Sequence, residues 1–312
     1  MYTIASGANH GLRYVKETTP GVTPVSPKTI SLTHNSCTLT PARDTIESGA
    51  LRDDRMLPFT RTGTDKIAGD IEFEFLAGEY DPFFEAALFG TWTDNVLKAG
   101  KAVHSFTIER AFTDIGQYGV FTGCYINQLS LSVKPNTIIT GTFGITGLAC
   151  DYMTSPLAAS PKVPPAPVPF DSFTGTLKEG GTEIAVVTGI DLTINNGVEP
   201  QYPVFSRTAA AVSLGRSKLS GTLAAFFTDG TLLRKFLDET PTKLEFTLQR
   251  GGDSYTFLIP NLTYTGAEHS VQSESSIQLS MPWLANLDSA IGSSFQITRN
   301  LAASPASFSE GE

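Results

Sequence analysis

Residues Gly69–Leu88 read GDIEFEFLAGEYDPFFEAAL, and a related stretch, GTLAAFFTDGTLLRKFL, spans Gly221–Leu237. Each stretch begins with a glycine and an alternating run, passes through a turn containing Asp and Gly, and ends in a short apolar helical pattern. In the first stretch Ile71, Phe73 and Phe75 share one face of the predicted strand. The sequence therefore predicts a strand–turn–helix unit that occurs twice, which indicates a duplicated fold.

Both helical patterns carry start and stop signals. Asp81 is the predicted cap of the first helix, Pro82 suits its first helical position, and Gly90 is predicted to end it. In the second stretch Asp229 is the predicted cap and Pro241 the predicted stop. Each helix is therefore expected to be short and to bury one apolar stripe against a sheet.

The remainder of the chain consists mostly of short alternating segments separated by Gly, Pro, Asn and Asp. This spacing is typical of antiparallel sheets. The predicted fold class is mainly β, with two repeated antiparallel β-sandwich or barrel domains that each carry one short flanking α-helix. A chain of 312 residues has room for two such domains of about 100–150 residues each.

The second half of the chain repeats the order of the first. GIDLTI at Gly189–Ile194 matches TISLTH at Thr29–His34, and LEFTLQR at Leu244–Arg250 matches SFTIER at Ser105–Arg110. Six prolines in Asp151–Phe170 predict an extended, semi-rigid linker. The predicted organisation is an extended N-terminal arm at 1–27, a first domain at 28–150, a Pro-rich linker at 151–170, a second domain at 171–300 and a flexible tail at 301–312.

The first 27 residues hold several Gly and Pro residues and leave little room for a regular element. Two interpretations of this arm stay open at this point. It is either a disordered terminus or a segment that becomes ordered on a neighbouring subunit.

A long polar stretch, Thr40–Lys66, interrupts the first domain. Loops of this length inside a compact domain are usually functional or disordered. Interleaved Arg and Asp suit contacts between identical chains, because one sequence then supplies both signs of charge. A calcium loop is not favoured, because the ligand spacing and the glycine of such a loop are absent. The candidate inter-subunit or inter-ring contact residues are Arg43, Asp44, Glu47, Arg52, Asp53, Asp54 and Arg55.

Overall charge and composition narrow the classes of function. The formal net charge of −9 argues against a sequence-independent nucleic-acid binder, which needs a basic surface. No apolar run approaches the length of a membrane span, and the N-terminus lacks the pattern of a signal peptide, so no membrane partner is expected. The cysteines, Cys37, Cys124 and Cys150, are odd in number and lack metal spacing, which favours reduced thiols.

No constellation of catalytic residues occurs in the sequence. The histidines His10, His34, His104 and His269 are scattered and lack the spacing of a metal pair. The nucleotide-binding, nucleophile-elbow and zinc-protease motifs are also missing. We therefore expect no enzyme, no cofactor and no metal site.

Several segments together resemble the major tail tube protein of bacteriophages with long, non-contractile tails. They are ETTPGVTP in the arm, CTLTPARDTIESGALRDDRM, GDIEFEFLAGEYDPFFEAALFGTW, SFTIERAFTD and FTGCYINQLSLSVKPNTIITGTFGITG. The resemblance covers essentially the whole chain. It implies a structural virion protein whose subunits form stacked rings, through which phage DNA passes from capsid to host cell.

The resemblance also implies partners and an assembly. Besides copies of itself, the chain would meet the tape measure protein, the tail terminator and distal tail proteins, and double-stranded DNA that passes without specific binding. Its place would be the virion tail, assembled in the cytoplasm of the bacterial host. Because the fold is predicted to be duplicated, three chains would supply six modules and form a homotrimeric, pseudo-hexameric ring. The alternative is a true homohexamer in which the second domain decorates the outside.

The channel of such a tube is expected to be acidic or neutral, so that it repels the phosphate backbone. Asp70, Glu72 and Glu74 share the polar face of one predicted strand and are the candidate lumen-facing residues. The competing interpretation is a two-domain β-sandwich adhesin, a glycan-binding module or a pilus-like subunit. That class often carries clustered exposed aromatic residues, whereas Trp92 and Trp283 stand alone in this sequence.

Overall fold

A computed structural model of the protein describes residues 4–51, 53–164, 168–184, 186–271, 274 and 276–302. Residues 4–164 are called the first half below, and residues 168–302 the second half. The strands are β1 His10–Lys16, β2 Ile30–Ser31, β3 Ser36–Cys37, β4 Thr40–Glu47, β5 Thr60–Glu74, β6 Val96–Lys98, β7 Phe106–Phe112, β8 Gln117–Val133, β9 Thr140–Gly147, β10 Ala149–Met153, β11 Gly175–Glu179, β12 Thr182–Glu183, β13 Val187–Asn195, β14 Val198–Gln201, β15 Ala211–Leu214, β16 Lys218–Phe226, β17 Thr242–Arg250, β18 Asp253–Tyr264, β19 Gln278–Ala285 and β20 Gln296–Asn300, with helices α1 Asp81–Leu88 and α2 Thr231–Leu237.

The first half is a sandwich of two antiparallel sheets that share strand β8. One sheet has the order β2–β1–β7–β8–β10, and the other has the order β4–β5–β9–β8, with β3 also paired to β5. The start of β8 lies in the first sheet and its end in the second. A register shift between Ile126 and Gln128 marks the change. The prediction of a mainly β fold is confirmed.

The second half has the same order of strand pairs. One sheet runs β11–β17–β18–β20, with β12 paired to β11, and the other runs β13–β16–β19–β18. Within these sheets Gly221 pairs with Trp283 as Gly69 pairs with Ile145. The pairings therefore define which positions of the two halves correspond.

The sequence match between Gly189–Ile194 and Thr29–His34 joins two segments that do not occupy corresponding places in the sheets. Gly189 lies opposite Ala224 of β16, and Ser36 lies opposite Glu72, the corresponding residue of β5. Strand β13 therefore corresponds to Ser36–Ala42. The segment Thr29–His34, which the sequence match selected, instead places Ile30 and Ser31 beside β1. Both segments alternate in the same way, and long-range pairing selects between them.

The hydrophobic core extends through both halves without a break. Phe75, the residue that follows β5, forms edge-to-face contacts with Tyr255 of β18 and with Phe170, at 5.0 Å and 5.2 Å between ring centroids. Phe170 is fully buried and donates its backbone N–H to the carbonyl of Phe75. The end of the Pro-rich segment is thus part of the core, and its beginning, Asp151–Met153, belongs to β10.

The N-terminal segment also contains regular structure. Strand β1 pairs with β7 along its whole length, and Leu12 and Tyr14 are buried in the core. Glu17 follows β1 and is buried; its carboxylate accepts hydrogen bonds from the hydroxyls of Ser105 and Thr107. The expectation that this stretch leaves no room for a regular element is wrong for residues 10–16.

Helix α1 begins and ends differently from the prediction. Asp81 is its first residue, Tyr80 precedes it as the cap, and the Asp81 side chain bonds to Tyr255 and Arg299 instead of to the helix N-terminus. At the other end Phe89 adopts the left-handed conformation, and Gly90 donates to the carbonyl of Glu85. No helix among the described residues is long and apolar enough to cross a membrane.

Candidate assembly and channel surfaces

The two halves are joined by a pair of strands. Strand β13 of the second half lies antiparallel to the end of β8, with Leu192 opposite Leu131 and Asn195 opposite Gln128. This β8–β13 pairing is called the seam. The seam merges the β4–β5–β9–β8 sheet of the first half with the β13–β16–β19–β18 sheet of the second half. These two sheets are called the inner sheets, and together they form one sheet of order β4–β5–β9–β8–β13–β16–β19–β18.

Alternation gives this merged sheet two different faces. Core-facing residues such as Leu131, Leu192 and Leu223 are buried. The opposite face is lined by hydroxyl and acidic side chains and is called the acidic–hydroxyl face. Its members include Thr38, Thr40, Asp70, Glu72, Glu74, Thr140, Thr142, Ser130, Ser132, Asp191, Thr193, Ser220, Thr222, Ser280 and Glu268.

Charges on the acidic–hydroxyl face are mostly negative. Asp191 accepts a hydrogen bond of 2.5 Å from Ser132 across the seam, and Glu72 accepts one of 2.8 Å from Ser36. Among the described residues of this face, the cations are Lys66 and Lys218, which lie at one margin and occupy corresponding positions. The middle of the sheet therefore presents carboxylates and hydroxyls.

The merged sheet has two open edges. One is formed by Ser36–Ala42, which corresponds to β13, and the other by Gly266–His269, which corresponds to the end of β8. The second correspondence follows because Glu268 pairs with Ser280 as Ser130 pairs with Thr142. Within the described part of the chain, neither edge pairs with a further strand on its outer side.

The edge at Ser36–Ala42 has two local peculiarities. Pro41 has no N–H, so the edge lacks one donor there. The carbonyl of Leu39 accepts a hydrogen bond of 2.6 Å from Arg110, which leaves its second lone pair open. Arg110 also contacts His10, whose Nδ1 lies 2.8 Å from Nε2 of His34. Burial, with Arg110 and His34 adding to it, lowers the pKa of His10 to about 4.

A long hairpin extends from β4 and β5 past this edge. At its root Arg43 forms an ion pair of 2.5 Å with Asp65, and Lys66 forms one of 2.8 Å with Asp44. The hydrogen bond from Lys66 lowers the pKa of the Asp44 carboxyl. Large apolar side chains are exposed along the hairpin and at its tip; they are Ile46, Leu51, Met56, Leu57 and Phe59.

The corresponding hairpin of the second half, β14–β15, packs on the first half at its root, whereas Val204 and Phe205 at its tip are exposed. Asn196 at its root is buried, and its Nδ2 donates to the carbonyls of Ala87 and Ile126 in the first half. Val198 and Ala209 pack with Tyr125 and Leu148 in a small separate core. This hairpin is thus seated on the first half of its own chain.

The tip of the β14–β15 hairpin reaches the root of the β4–β5 hairpin. Tyr202 donates its hydroxyl to the carbonyl of Asp65 at 2.7 Å, and the N–H of Asp65 donates to the carbonyl of Arg207 at 2.9 Å. Between β4 and β10 a cavity of about 570 Å³ opens next to this contact, lined among others by Arg43 and Tyr152.

Over residues 7–285 the sequence matches the family model described as phage tail tube protein. The chain belongs to this family. Among curated proteins, none matches the chain at a significant level. The tail tube family is structural and is not known for enzymatic activity, and its members self-assemble into a tube together with other tail proteins. The protein is accordingly a structural component of the phage virion tail, and the family favours this interpretation over an adhesin or pilus-like subunit.

The structure places the sequence-predicted residues in two groups. Arg43, Asp44 and Glu47 lie on β4, and Asp53, Asp54 and Arg55 lie in the tip of the same hairpin, whereas Arg52 is outside the described residues. Asp70, Glu72 and Glu74 share the acidic–hydroxyl face. Among the described residues no group of three or more His, Cys, Asp or Glu side chains is placed to hold a metal ion.

Sequence reasoning missed the residues that join the halves. Asn196 and Asp191 were not singled out, and neither were Glu268 and the two open edges. The Asn195-Asn196-Gly197 triplet was the available signal, because Asn and Gly together mark a turn and Gly197 has a positive φ of 57°. Its buried role depends on Ala87 and Ile126, which are far away in the sequence.

Proposed function

We propose that the protein is the major tail tube subunit of a long-tailed phage and that its chains form stacked rings around a channel for DNA. The observation that carries the proposal is the seam. It shows, inside one chain, how the inner sheet of one module can be continued by that of the next. The family assignment and the acidic–hydroxyl face support the same conclusion.

Each chain supplies two modules, residues 28–150 together with β1 and residues 171–300. Their common order of strand pairs supports descent from a duplicated domain. Three chains then give six modules, so the ring is a homotrimer with pseudo-sixfold symmetry. A true homohexamer would require half of the modules to lie outside the channel wall, which would leave the merged sheet without a function in the ring.

Ring closure repeats the register of the seam between chains. The edge Gly266–His269 of one chain pairs with the edge Ser36–Ala42 of the next. Glu268 then faces Thr40, as Ser130 faces Thr193 within the chain. Closure of the sheet removes both open edges, which stabilises the ring and protects it from unspecific strand addition.

The acidic–hydroxyl face lines the channel. Carboxylates such as Asp70, Glu72 and Glu74 repel the phosphate backbone, and the hydroxyl groups keep the wall hydrated, so DNA passes without sticking. Sequence-independent attraction would need clustered cations, whereas Lys66 and Lys218 lie at the margin. A density map of the assembled tube that turns another face to the channel would overturn this assignment.

The neighbouring proteins follow from the position in the tail. Rings stack along the tape measure protein, and the ends of the stack meet the tail terminator and the distal tail proteins. Assembly takes place in the cytoplasm of the bacterial host. The charged β4–β5 hairpin, with Arg43, Asp44, Glu47, Asp53, Asp54 and Arg55, supplies contacts between subunits, and Arg52 belongs to the same sequence segment.

A pair of cysteines at the ring joint tests the proposal. Thr40→Cys and Glu268→Cys create a pair that does not exchange backbone hydrogen bonds, in which the Cα atoms lie about 4.5 Å apart and a disulfide can form. We expect oxidation of assembled protein to give a ladder on non-reducing gels that ends at three chains. A ladder that continues to six chains would contradict the trimer.

Matched pairs control for register. Ser130→Cys with Thr193→Cys places the same geometry inside one chain and should form an intramolecular disulfide. Thr38→Cys with Glu268→Cys lies on the same face but is shifted by two residues along the strand, so this pair should cross-link poorly. Equal cross-linking of the in-register and out-of-register pairs would contradict the proposed joint, and the single-cysteine variants measure the background from Cys37 and Cys150.

A further inference from the structure

The two hairpins have different surroundings although they leave corresponding positions of the sheet. The pair Asn195–Lys218 at the root of the β14–β15 hairpin corresponds to Ala42–Lys66 at the root of the β4–β5 hairpin. The first of these hairpins covers the middle of β8 at Tyr125 and Ile126, Leu148 between β9 and β10, and the end of α1. The second covers none of the described residues in the same way.

The surface that corresponds to the covered one is bare in the second half. Thr263 pairs with Leu284 as Tyr125 pairs with Thr146, so Thr263 corresponds to Tyr125. By the same register Asn286 corresponds to Leu148. Around these positions two large apolar side chains lie in solvent: Leu237 at the end of α2 is 67% exposed, and Leu287 is 70% exposed.

The free hairpin carries an apolar side chain at one of the two matching places. Position by position, Thr45 corresponds to Val198 and Leu57 to Ala209, the two residues that pack on the first half. Leu57 is more than half exposed, and its neighbours Ile46 and Phe59 are exposed as well. An uncovered apolar hairpin and an uncovered apolar surface therefore occur in the same chain, at the two ends of the merged sheet.

The root of the free hairpin also has a place to bend. The β14–β15 hairpin turns away from its sheet at Gly197 and Gly215, whose backbones approach closely, with the N–H of Gly215 donating to the carbonyl of Gly197. The corresponding positions of the β4–β5 hairpin are Asp44 and Gly63. A register shift between Arg43 and Thr45 lies at this point.

We propose that the β4–β5 hairpin docks on the second half of the neighbouring chain in the same ring. It packs across the end of β18, Asn286 and the end of α2, as the β14–β15 hairpin packs on the first half of its own chain. Its tip then reaches the root of the neighbour's β14–β15 hairpin, so that all hairpins overlap in one direction around the ring. The inference rests on the proposed ring and assigns its second contact, with another copy of this chain as the occupant.

Cross-linking between the hairpin and its receiving surface tests the proposal. Thr45→Cys and Asn286→Cys correspond to Val198 and Leu148, which belong to the same packed cluster. We expect a short bifunctional thiol reagent to join these cysteines between chains in assembled protein. Val198→Cys with Leu148→Cys is the matched control and should be joined within one chain.

The outcomes separate this inference from the ring itself. If Thr40→Cys with Glu268→Cys links the chains but Thr45→Cys with Asn286→Cys does not, the ring stands and the docking is wrong. If neither pair links the chains, both proposals are wrong. If both pairs do, the hairpin lies where we place it.

A second measurement does not depend on cysteine chemistry. Leu237→Asp combined with Leu287→Asp adds two charges to the receiving surface without touching the sheet edges. We expect the protein concentration at half-assembly to rise about tenfold or more, because an apolar contact of this size is lost. Val163→Asp, at a residue with similar exposure in the Pro-rich segment, should change it less than twofold. Equal behaviour of the two variants would contradict the docking.

Discussion

Helices α1 and α2 occupy the same place in the two halves, yet their surroundings differ. Six residues of α1 are buried, among them Phe83 and Phe84, whereas none of α2 is. Helix α1 is covered by β1, by the side chains of Tyr255 and Arg299, and at its end by Asn196. Helix α2 is held by the ion pair between Lys235 and Glu179 and by Leu232 and Phe236, which are partly buried against the core.

The difference indicates that helix α1 is covered within the chain, whereas helix α2 is not. The second half supplies the elements that cover the end of α1. The counterparts of these elements that could cover α2 would have to come from another chain.

The largest expected effect is on the buried helix. Phe84→Ala removes a fully buried ring from the core and should lower the free energy of unfolding by about 3–5 kcal/mol. Leu237→Ala in α2 removes an exposed side chain and should change it by less than about 0.5 kcal/mol. Chemical denaturation of both variants as unassembled protein measures the contrast. Similar losses would mean that α2 is as well packed as α1.

The next effect concerns the roots of the two hairpins. Asn196→Ala leaves two buried carbonyls without their donor and should cost about 2–3 kcal/mol of stability. Its counterpart Arg43→Ala breaks only a half-exposed ion pair with Asp65 and should cost less than about 1 kcal/mol before assembly. Thermal unfolding of the two variants checks this order, and a reversed order would refute the correspondence of the two roots.

A smaller effect is expected where the second half holds α1. The hydroxyl of Tyr255 donates to Asp81 and accepts from the N–H of Gly78. Tyr255→Phe keeps the ring but removes both hydrogen bonds, so we expect a loss of about 1–2 kcal/mol. Tyr152→Phe, at an exposed tyrosine, is the control and should be neutral. A neutral result for Tyr255→Phe would mean that packing alone fixes α1.

The smallest effect is a pH dependence in the first half. Because the folded protein holds the pKa of His10 at about 4, below its usual 6.5, the unfolded chain binds the proton more tightly. The stability due to neutral His10 is complete above pH 6.5 and is lost as the pH falls towards 4. Since the His10 imidazole is half exposed, we expect the free energy of unfolding to fall by on the order of 1 kcal/mol. His10→Gln should flatten the pH profile; Gly175 occupies the corresponding place in the second half.

Local patterns predicted the elements, and long-range contacts decided their partners. The alternation Ile71–Phe73–Phe75 and the apolar stripe after Pro82 predicted the end of β5 and helix α1, because one buried face gives a regular spacing of apolar residues. The expectation of a loop over Thr40–Lys66 is wrong for β4 and for the start of β5. The cap failed because Asp81 bonds to residues of the second half, which no local pattern contains. Strand β1 was missed although HGLRYVK alternates, because the surrounding Gly and Pro residues outweighed it.

The candidate surfaces were predicted in part for the same reason. Asp70, Glu72 and Glu74 fall on a polar strand face by simple alternation, and that face exists. Its extension over Asp191 and Glu268 depends on the seam, whose register is set by the pairing of β8 with β13. The Arg and Asp residues of the β4–β5 hairpin were visible as charge, whereas its exposed apolar side chains were overlooked because the stretch reads as polar.

Pro41 has a consequence for the protein before it finds its partners. A newly made subunit carries an exposed strand edge in a crowded cell, and any extended peptide could add to it. The missing N–H at Pro41 and the Arg110 side chain on the Leu39 carbonyl make this edge a poor template for chance partners. In the proposed ring, a joining strand would therefore have to fit the surrounding surface as well, so the imperfect edge would select against chance partners during assembly.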